Sequence, residues 1–205
     1  MKKKILGLAI VAMAATLIVG GTYAYLQSQT IEKTNSFTMA SGITGEIAEP
    51  FWDGETFTGE TLETNPLNNT GKTAATNYAP TDVIAKNPMV KNTSKGTEGY
   101  VAVKITYGKD ITNYTQLSTF ADIDFNTEKW SFNTDKTVAY YKTELAAGQK
   151  TEPVFTKVTI KKEADETTMK NFDITVKGFI CQTDVKGFDT PQAALDEVFG
   201  AELTN

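Results

Sequence analysis

Apolar and polar residues alternate with a period of two along several stretches in the second half of the chain. In residues 100–107 the alternation places Val101, Val103 and Ile105 on one face, which Tyr107 continues. This spacing, with its many β-branched and aromatic residues, is typical of half-buried antiparallel strands. The stretches with this character are residues 100–107, Trp130–Phe132, Val138–Tyr141, residues 154–161 and Phe172–Gln182. The pattern predicts a protein built mainly from antiparallel β-sheet.

Helical spacing occurs near the C-terminus. Thr190 and Pro191 form an N-cap followed by proline at the first helical position. The apolar face that follows consists of Ala194, Leu195, Val198 and Phe199. Gly200 is expected to end this helix, because glycine is common just past a helix C-terminus. A second short helix is expected around residues 114–120. The fold class predicted is all-β, an antiparallel and jelly-roll-like β-sandwich with one or two short helices.

The first half of the chain has weaker patterns. Residues 26–40 are polar, with few apolar anchors, which are Leu26, Ile31, Phe37 and Met39. Ile31, Phe37 and Met39 all have odd numbers, so an extended strand would place their side chains on one face. The chain is expected to divide into residues 1–24, an N-terminal arm of residues 25–43, and a β-sandwich domain of residues 44–205 whose loop-rich part is residues 44–86.

Residues 1–24 have the layout of a secretory signal peptide. Three lysines precede an apolar or small stretch that runs from residue 5 to residue 21. Thr22 and Ala24 then supply residues at the spacing that a signal peptidase reads, so cleavage is expected before Tyr25 or within one or two residues of it. A permanent membrane anchor is the alternative, but the stretch is near the lower length limit for a spanning helix. We therefore expect a secreted protein.

Charge and residue usage narrow the function classes. Subtracting the three lysines of residues 1–24 leaves 17 basic and 25 acidic residues, a formal net charge of −8. Such a surface repels nucleic acid and anionic lipid, so no nucleic-acid partner is expected. Histidine is absent, which removes the commonest general base and metal ligand. The single cysteine, Cys181, excludes an intramolecular disulfide and is interpreted as a small buried residue of a strand.

Nine short segments, spread along nearly the whole chain, match one known family in order. They are GGTYAY at residues 20–25, NSFTMASG at 35–42, KNPMVKNT at 86–93, YVAVK at 100–104, YYK at 140–142, LAAG at 145–148, TEPVF at 151–155, FICQ at 179–182 and AAL at 193–195. On these segments the chain resembles the TasA/camelysin family of exported bacterial proteins, in which residues 86–93 and 100–104 would correspond to a strand pair. Residues 44–86 have no counterpart, and Cys181 and Leu195 replace commoner residues.

The resemblance implies a secreted jelly-roll subunit of extracellular biofilm-matrix fibres. In such fibres the N-terminal arm of one subunit adds a strand to its neighbour, a role that would fall to Leu26, Ile31, Phe37 and Met39. The implied partners are further copies of the chain, a dedicated SipW-type signal peptidase during export, and other matrix proteins or polysaccharide. Strand addition mainly needs backbone pairing at a sheet edge. The alternative is an arm that pairs within its own sheet.

Enzymatic function is not expected, although some family members are described as metal-dependent peptidases. The chain has no H-E-x-x-H motif and no recognisable pair of catalytic aspartates, so no catalytic residue, cofactor or metal is assigned. Residues 122–128 alternate acids and amides, but they lack the glycine and spacing of an EF-hand loop. We interpret them as a strand or turn with Ile123 and Phe125 inward. A monomeric secreted adhesin or carbohydrate-binding module is the second hypothesis, and a peptidase the third.

Overall fold

Strands dominate the computed structural model, which describes residues 27–29, 42–62, 64–67, 71–183 and 187–204. The strands of these residues are β1 (Gln27–Gln29), β2 (Gly45–Ala48), β3 (Val83–Ala85), β4 (Met89–Asn92), β5 (Gly99–Lys109), β6 (Ala121–Ile123), β7 (Trp130–Phe132), β8 (Val138–Tyr141), β9 (Lys157–Ile160) and β10 (Phe172–Gln182). The helices are α1 (Pro50–Asp53), α2 (Gly71–Ala74), α3 (Tyr114–Leu117) and α4 (Pro191–Thr204). No helix in these ranges is long and apolar enough to cross a membrane.

The strands form three antiparallel sheets. The largest has five strands in the order β1-β10-β5-β8-β7, and the others are β3-β9-β6 and β2-β4. A mostly antiparallel β-fold with a few short helices, as the alternation predicts, is therefore confirmed. The sheets do not close on one another, and the jelly-roll arrangement stays a proposal. Segments 86–93 and 100–104 are not a strand pair, because β4 pairs with β2 whereas β5 pairs with β10 and β8.

The five-stranded sheet is buried on both faces. On β5, Val101, Val103 and Ile105 belong to the main core between this sheet and the two smaller ones, as their spacing predicts. The intervening Ala102 faces the other way and packs in a second core beneath α4. The members of this second core that are fully or nearly buried are Ala102, Val138, Tyr140, Phe179, Cys181, Ala194, Leu195, Phe199 and Leu203. One sheet therefore separates two hydrophobic cores.

Helix α4 begins as predicted and ends later than predicted. The Thr190 hydroxyl oxygen accepts a hydrogen bond from the Ala193 N–H at 3.2 Å, which is the expected capping contact. The helix passes Gly200 and continues to Thr204, so the expected end at Gly200 is wrong. Leu203 lies one turn beyond Phe199 and is buried in the same core. Its burial offsets the cost of about 1 kcal/mol for glycine inside a helix.

Other boundaries differ from the sequence prediction for local reasons. In residues 154–161 the strand is shortened to Lys157–Ile160, because the Val154 N–H donates to the Pro88 carbonyl instead of joining the ladder. Val154 is nevertheless buried in the main core. Residues 44–86, predicted to be loop-rich, contain the short strands β2 and β3. They also contain the helical turns α1 and α2, which the sequence pattern did not predict. The helix expected at residues 114–120 is confirmed in shorter form as α3.

Candidate functional site

The sequence-predicted site residues lie in the N-terminal part of the chain. The processing residues Thr22, Ala24 and Tyr25 are outside the described residues, as are the arm residues Leu26, Ile31, Phe37 and Met39. The described parts of the arm are β1 and residues 42–43, and Ile43 is buried in the main core. The site is therefore built from β1 and from the strand that it contacts.

Strand β1 lies at the edge of the five-stranded sheet. It pairs antiparallel with β10, with Gln27 opposite Cys181, Ser28 opposite Ile180 and Gln29 opposite Phe179. The opposite side of β10 pairs with β5 along its entire length. β1 thus covers one end of the outer edge of β10, and three of its residues are paired there within the part of the chain that the structure describes.

Hydrogen bonds at both ends of β10 show which of its backbone groups point outward. The Asp110 N–H donates to the Asn171 carbonyl at 3.0 Å, and the Thr183 N–H donates to the Glu98 carbonyl at 3.4 Å. In an antiparallel pair, residues that hydrogen-bond to the partner strand alternate with residues that point away from it. Odd-numbered residues of β10 therefore face β5, and even-numbered residues present their N–H and C=O groups to the outer edge. Ser28 and Ile180 are consequently a hydrogen-bonded pair.

The edge that receives β1 is held in place by the rest of the fold. Phe179 is fully buried, and its ring centroid lies 5.1 Å from that of Phe199 in α4. Ile180 packs on the opposite face, where a Cβ atom added to Gly99 would lie 2.8 Å from its side chain and 2.3 Å from Ile43. Glycine at position 99 permits this close approach. The acceptor edge is therefore also packed against residues outside β1.

A cavity of ≈ 380 Å³ opens beside the other end of β10. It lies between the five-stranded and three-stranded sheets, with α1 and α2 nearby. Its apolar walls include Ile84 of β3, Val158 of β9 and Val176 of β10. Sequence reasoning did not find this cavity, because its walls come from segments that are far apart in the chain.

A buried ion pair forms one wall of the cavity. The Lys86 side chain is 5% exposed, and its Nζ lies 2.7 Å from Glu49 Oε1 and 2.8 Å from Oε2. The same ammonium group lies 4.7 Å from the centroid of the Trp52 ring, within cation–π distance. A buried ammonium needs such partners because loss of hydration is costly. In the sequence, the signal for this buried ammonium is that Lys86 directly follows the apolar residues of β3.

The acidic residues 122–128 form a strand and a turn, as we interpreted them. Ile123 is buried in β6 and Phe125 is half-buried against the core. The Asp124 carboxylate oxygen Oδ1 accepts hydrogen bonds from the N–H groups of Thr156 and Lys157, both at 2.8 Å. Among the described residues no group of three or more acids, cysteines or histidines could hold a metal ion. Through its hydrogen bonds, Asp124 links the segment that follows β6 to the start of β9.

Cys181 is expected to be unreactive in the folded protein. It is fully buried beneath α4, and this burial raises the pKa of its thiol to about 12. The reactive thiolate is therefore scarce at pH 8, and the helix blocks reagents. Native protein treated with iodoacetamide at pH 8 should stay unlabelled by mass spectrometry, whereas protein in concentrated urea should gain one adduct. Rapid labelling without denaturant would contradict the placement of Cys181.

Comparisons with known proteins do not identify a family for this chain. No protein-family model matches it. Neither a curated protein nor a solved structure matches it. The functional interpretation therefore depends on the residues and geometry described above, and on the segment resemblance.

Proposed function

We propose that this chain is a secreted structural subunit with a jelly-roll-like β-sandwich, which assembles into extracellular fibres by exchanging its N-terminal arm between copies. The observation that carries the proposal is the position of β1. Among the described strands this piece of the arm has one neighbour, β10, so it contacts the sheet as an edge strand. A segment held in this way can be replaced by the same segment of another copy, which forms the same backbone hydrogen bonds.

Exchange of the arm explains how a short edge strand could support a polymer. Within one molecule, β1 satisfies the outward groups of Ile180, and an arm from a neighbour would satisfy the same groups. The two states then differ little in local contacts, so concentration can shift the balance between them. Each copy gives one arm and accepts another, which is a head-to-tail contact that propagates into a filament.

The composition and the family resemblance support an extracellular role. The leader-like residues 1–24 favour export, and the net charge of −8 downstream favours a soluble subunit before assembly. Polymerisation would also stabilise a chain that has one cysteine and therefore no internal disulfide. Its proposed partners are further copies of itself, the export peptidase and other matrix components.

Electron microscopy of the processed protein tests this proposal. We expect filaments whose amount rises with protein concentration, because assembly is an intermolecular equilibrium. A monomeric adhesin or carbohydrate-binding module would instead remain monomeric at every concentration. Sedimentation of the same samples provides an independent measure of assembly. Monodisperse protein across the whole concentration range would reject the fibre proposal.

Processing should remove residues 1–24. Intact-mass spectrometry of the exported protein is expected to give a chain that begins at Tyr25, or within one or two residues of it, because Thr22 and Ala24 have the spacing of a signal-peptidase site. A variant with Ala24→Leu should accumulate unprocessed, because the small side chain is lost. Detection of residues 1–24 in the mature product would instead support a membrane anchor.

Purified protein is expected to lack metal-dependent peptidase activity. The chain has no histidine to bind zinc or act as a base. The measurement is casein cleavage with and without a chelator, after two orthogonal purification steps. Chelator-sensitive cleavage that follows the protein through both steps would favour the peptidase hypothesis.

A further inference from the structure

We infer that residues 30–34 of the N-terminal arm continue β1 along the outer edge of β10, and that the Glu32 carboxylate pairs there with the Lys72 ammonium at the cavity. This contact deepens the proposed function and rests on it, because it would align the assembly arm on the strand that accepts it. The alignment is the same whether the arm belongs to the same copy or to a neighbour in a filament.

The register of β1 sets which residues would meet. Gln29 pairs with Phe179 in an antiparallel ladder, so each further residue of the arm lies opposite the preceding residue of β10. This places Glu32 opposite Val176. Gly178, the next residue of β10 whose backbone groups point outward, is not without a partner, which agrees with a strand that continues past Gln29.

The cavity of ≈ 380 Å³ lies where this continuation would run. Every residue from Phe172 to Val176 lines it. Alternate residues of a strand direct their side chains to opposite faces of the sheet. A cavity lined by consecutive residues therefore also reaches the backbone, and the outer edge is the one that β5 leaves open. An arm paired with β10 would border the cavity along this edge.

The side chain of Glu32 would point into the cavity. Val176 is buried in the main core and lines the cavity. Opposite residues of an antiparallel pair direct their side chains to the same face of the sheet. Glu32 would therefore lie on the cavity side with Val176, and Lys33 would lie on the face that carries α4.

The charges of the cavity favour an acidic side chain. Two lysines line it, and the Lys86 ammonium is matched by the Glu49 carboxylate. The Asp173 carboxylate, which also belongs to a lining residue, faces the Lys109 ammonium at 3.0 Å. Lys72 is exposed on α2, and none of the ion pairs within the described ranges includes it. Its ammonium is the one that an incoming carboxylate can match.

This ion pair would select one register of the arm. Glu32 is the only acid in residues 25–41. A shift of one residue would bring Lys33 to the cavity face, where its ammonium would repel that of Lys72. A shift of two residues would bring a threonine there and leave Lys72 without a carboxylate. Water weakens an exposed ion pair, so its main effect is to discriminate between registers of a polar strand.

The arm is long enough to reach this position and return. Ile43 lies beside Ile180, because a Cβ atom added to Gly99 would contact both side chains. Thr34 would lie opposite Ile174, about 20 Å along β10 from Ile180. The nine residue steps from Thr34 to Ile43 span up to about 30 Å. Pairing as far as Thr34 is therefore possible even within one copy.

A disulfide trap in the processed chain tests the register. Lys33 and Thr175 would be directly opposed without hydrogen-bonding to each other, which is the closer type of pair and suits a disulfide. Lys33→Cys with Thr175→Cys should therefore cross-link. The control, Lys33→Cys with Lys177→Cys, is displaced by two residues and should cross-link about tenfold more slowly. Non-reducing electrophoresis measures both rates, and the buried Cys181 does not compete.

Charge exchange in the trapped chain tests the ion pair. Lys72→Glu and Glu32→Lys should each slow the disulfide between positions 33 and 175 by about threefold, and the two changes together should restore its rate. Lys162→Glu makes the same charge change at an exposed lysine that does not line the cavity, so it should leave the rate unchanged. Circular dichroism checks the fold of every variant.

Two outcomes would overturn the inference. One is a disulfide that forms no faster in the opposed pair than in the displaced pair, which would place the arm elsewhere. The other is an equal rate for Lys72→Glu and Lys162→Glu, which would show that Lys72 does not contact the arm.

The products of the trap separate the register from arm exchange. Disulfides within single chains, in samples that form no filaments, would support the register and reject exchange. Cross-linked ladders of several chains would support both. Filaments without the disulfide between positions 33 and 175 would reject the register alone.

Discussion

Deletion of residues 25–40 is expected to abolish filament formation and to leave a folded monomer. The edge of β10 keeps its shape without β1, because Phe179 and Cys181 are buried beneath α4. Among the described residues, the loss within the monomer includes the Ser28–Ile180 pair of backbone hydrogen bonds, worth about 1 kcal/mol each. Sedimentation and electron microscopy measure assembly, and circular dichroism measures the fold.

Single substitutions provide a sharper version of this experiment. Ser28→Pro removes an N–H that faces β10 and should block assembly, whereas Gln29→Pro removes an N–H that points away from β10 and should have a smaller effect. Ile31→Asp, outside the described residues, should weaken assembly without changing the β-sheet signal. Filaments of normal yield from the deletion variant would refute arm exchange. An unfolded deletion variant would show that the monomer needs its own arm to fold, which favours the alternative of an arm kept within its own sheet.

Glu49→Ala is expected to destabilise the protein by about 3 kcal/mol, because it leaves the Lys86 ammonium buried without its carboxylate. The free energy of unfolding in urea at pH 7 is the quantity to measure, with the slope of the transition as a check on two-state behaviour. The loss should exceed that of an exposed pair such as Lys129 with Glu128, whose attraction is screened by water.

Substitution of both partners separates the ion pair from the packing around it. Lys86→Met combined with Glu49→Ala should recover most of the lost stability, since no buried charge then remains unpaired. Glu128→Ala serves as the matched surface control. If Glu49→Ala lowers the free energy of unfolding by no more than Glu128→Ala does, other groups stabilise the buried Lys86 ammonium. The role assigned to Glu49 is then wrong.

Periodicity predicted the elements with long apolar faces. Phe172–Gln182 was found as β10 with the same bounds, and the inward face of β5 was assigned to the core in which it lies. These predictions succeed because the face of a strand that packs in the main core repeats its apolar positions every two residues. The predicted strand boundary is wrong at Val154, whose N–H bonds to a distant segment. The predicted helix end is wrong at Gly200, because the burial of Leu203 favours a longer helix.

By itself the sequence determined the β-rich class, the burial of Cys181, the capping of α4 and the absence of histidine chemistry. Each of these depends on residue type or local spacing, which the chain carries without reference to its fold. Only the tertiary structure decided that β1 pairs with β10, that β4 and β5 belong to different sheets, and that Glu49, Trp52 and Lys86 meet at one cavity. Pairing partners and cavities depend on contacts between segments far apart in sequence, and no local pattern encodes which segments will meet.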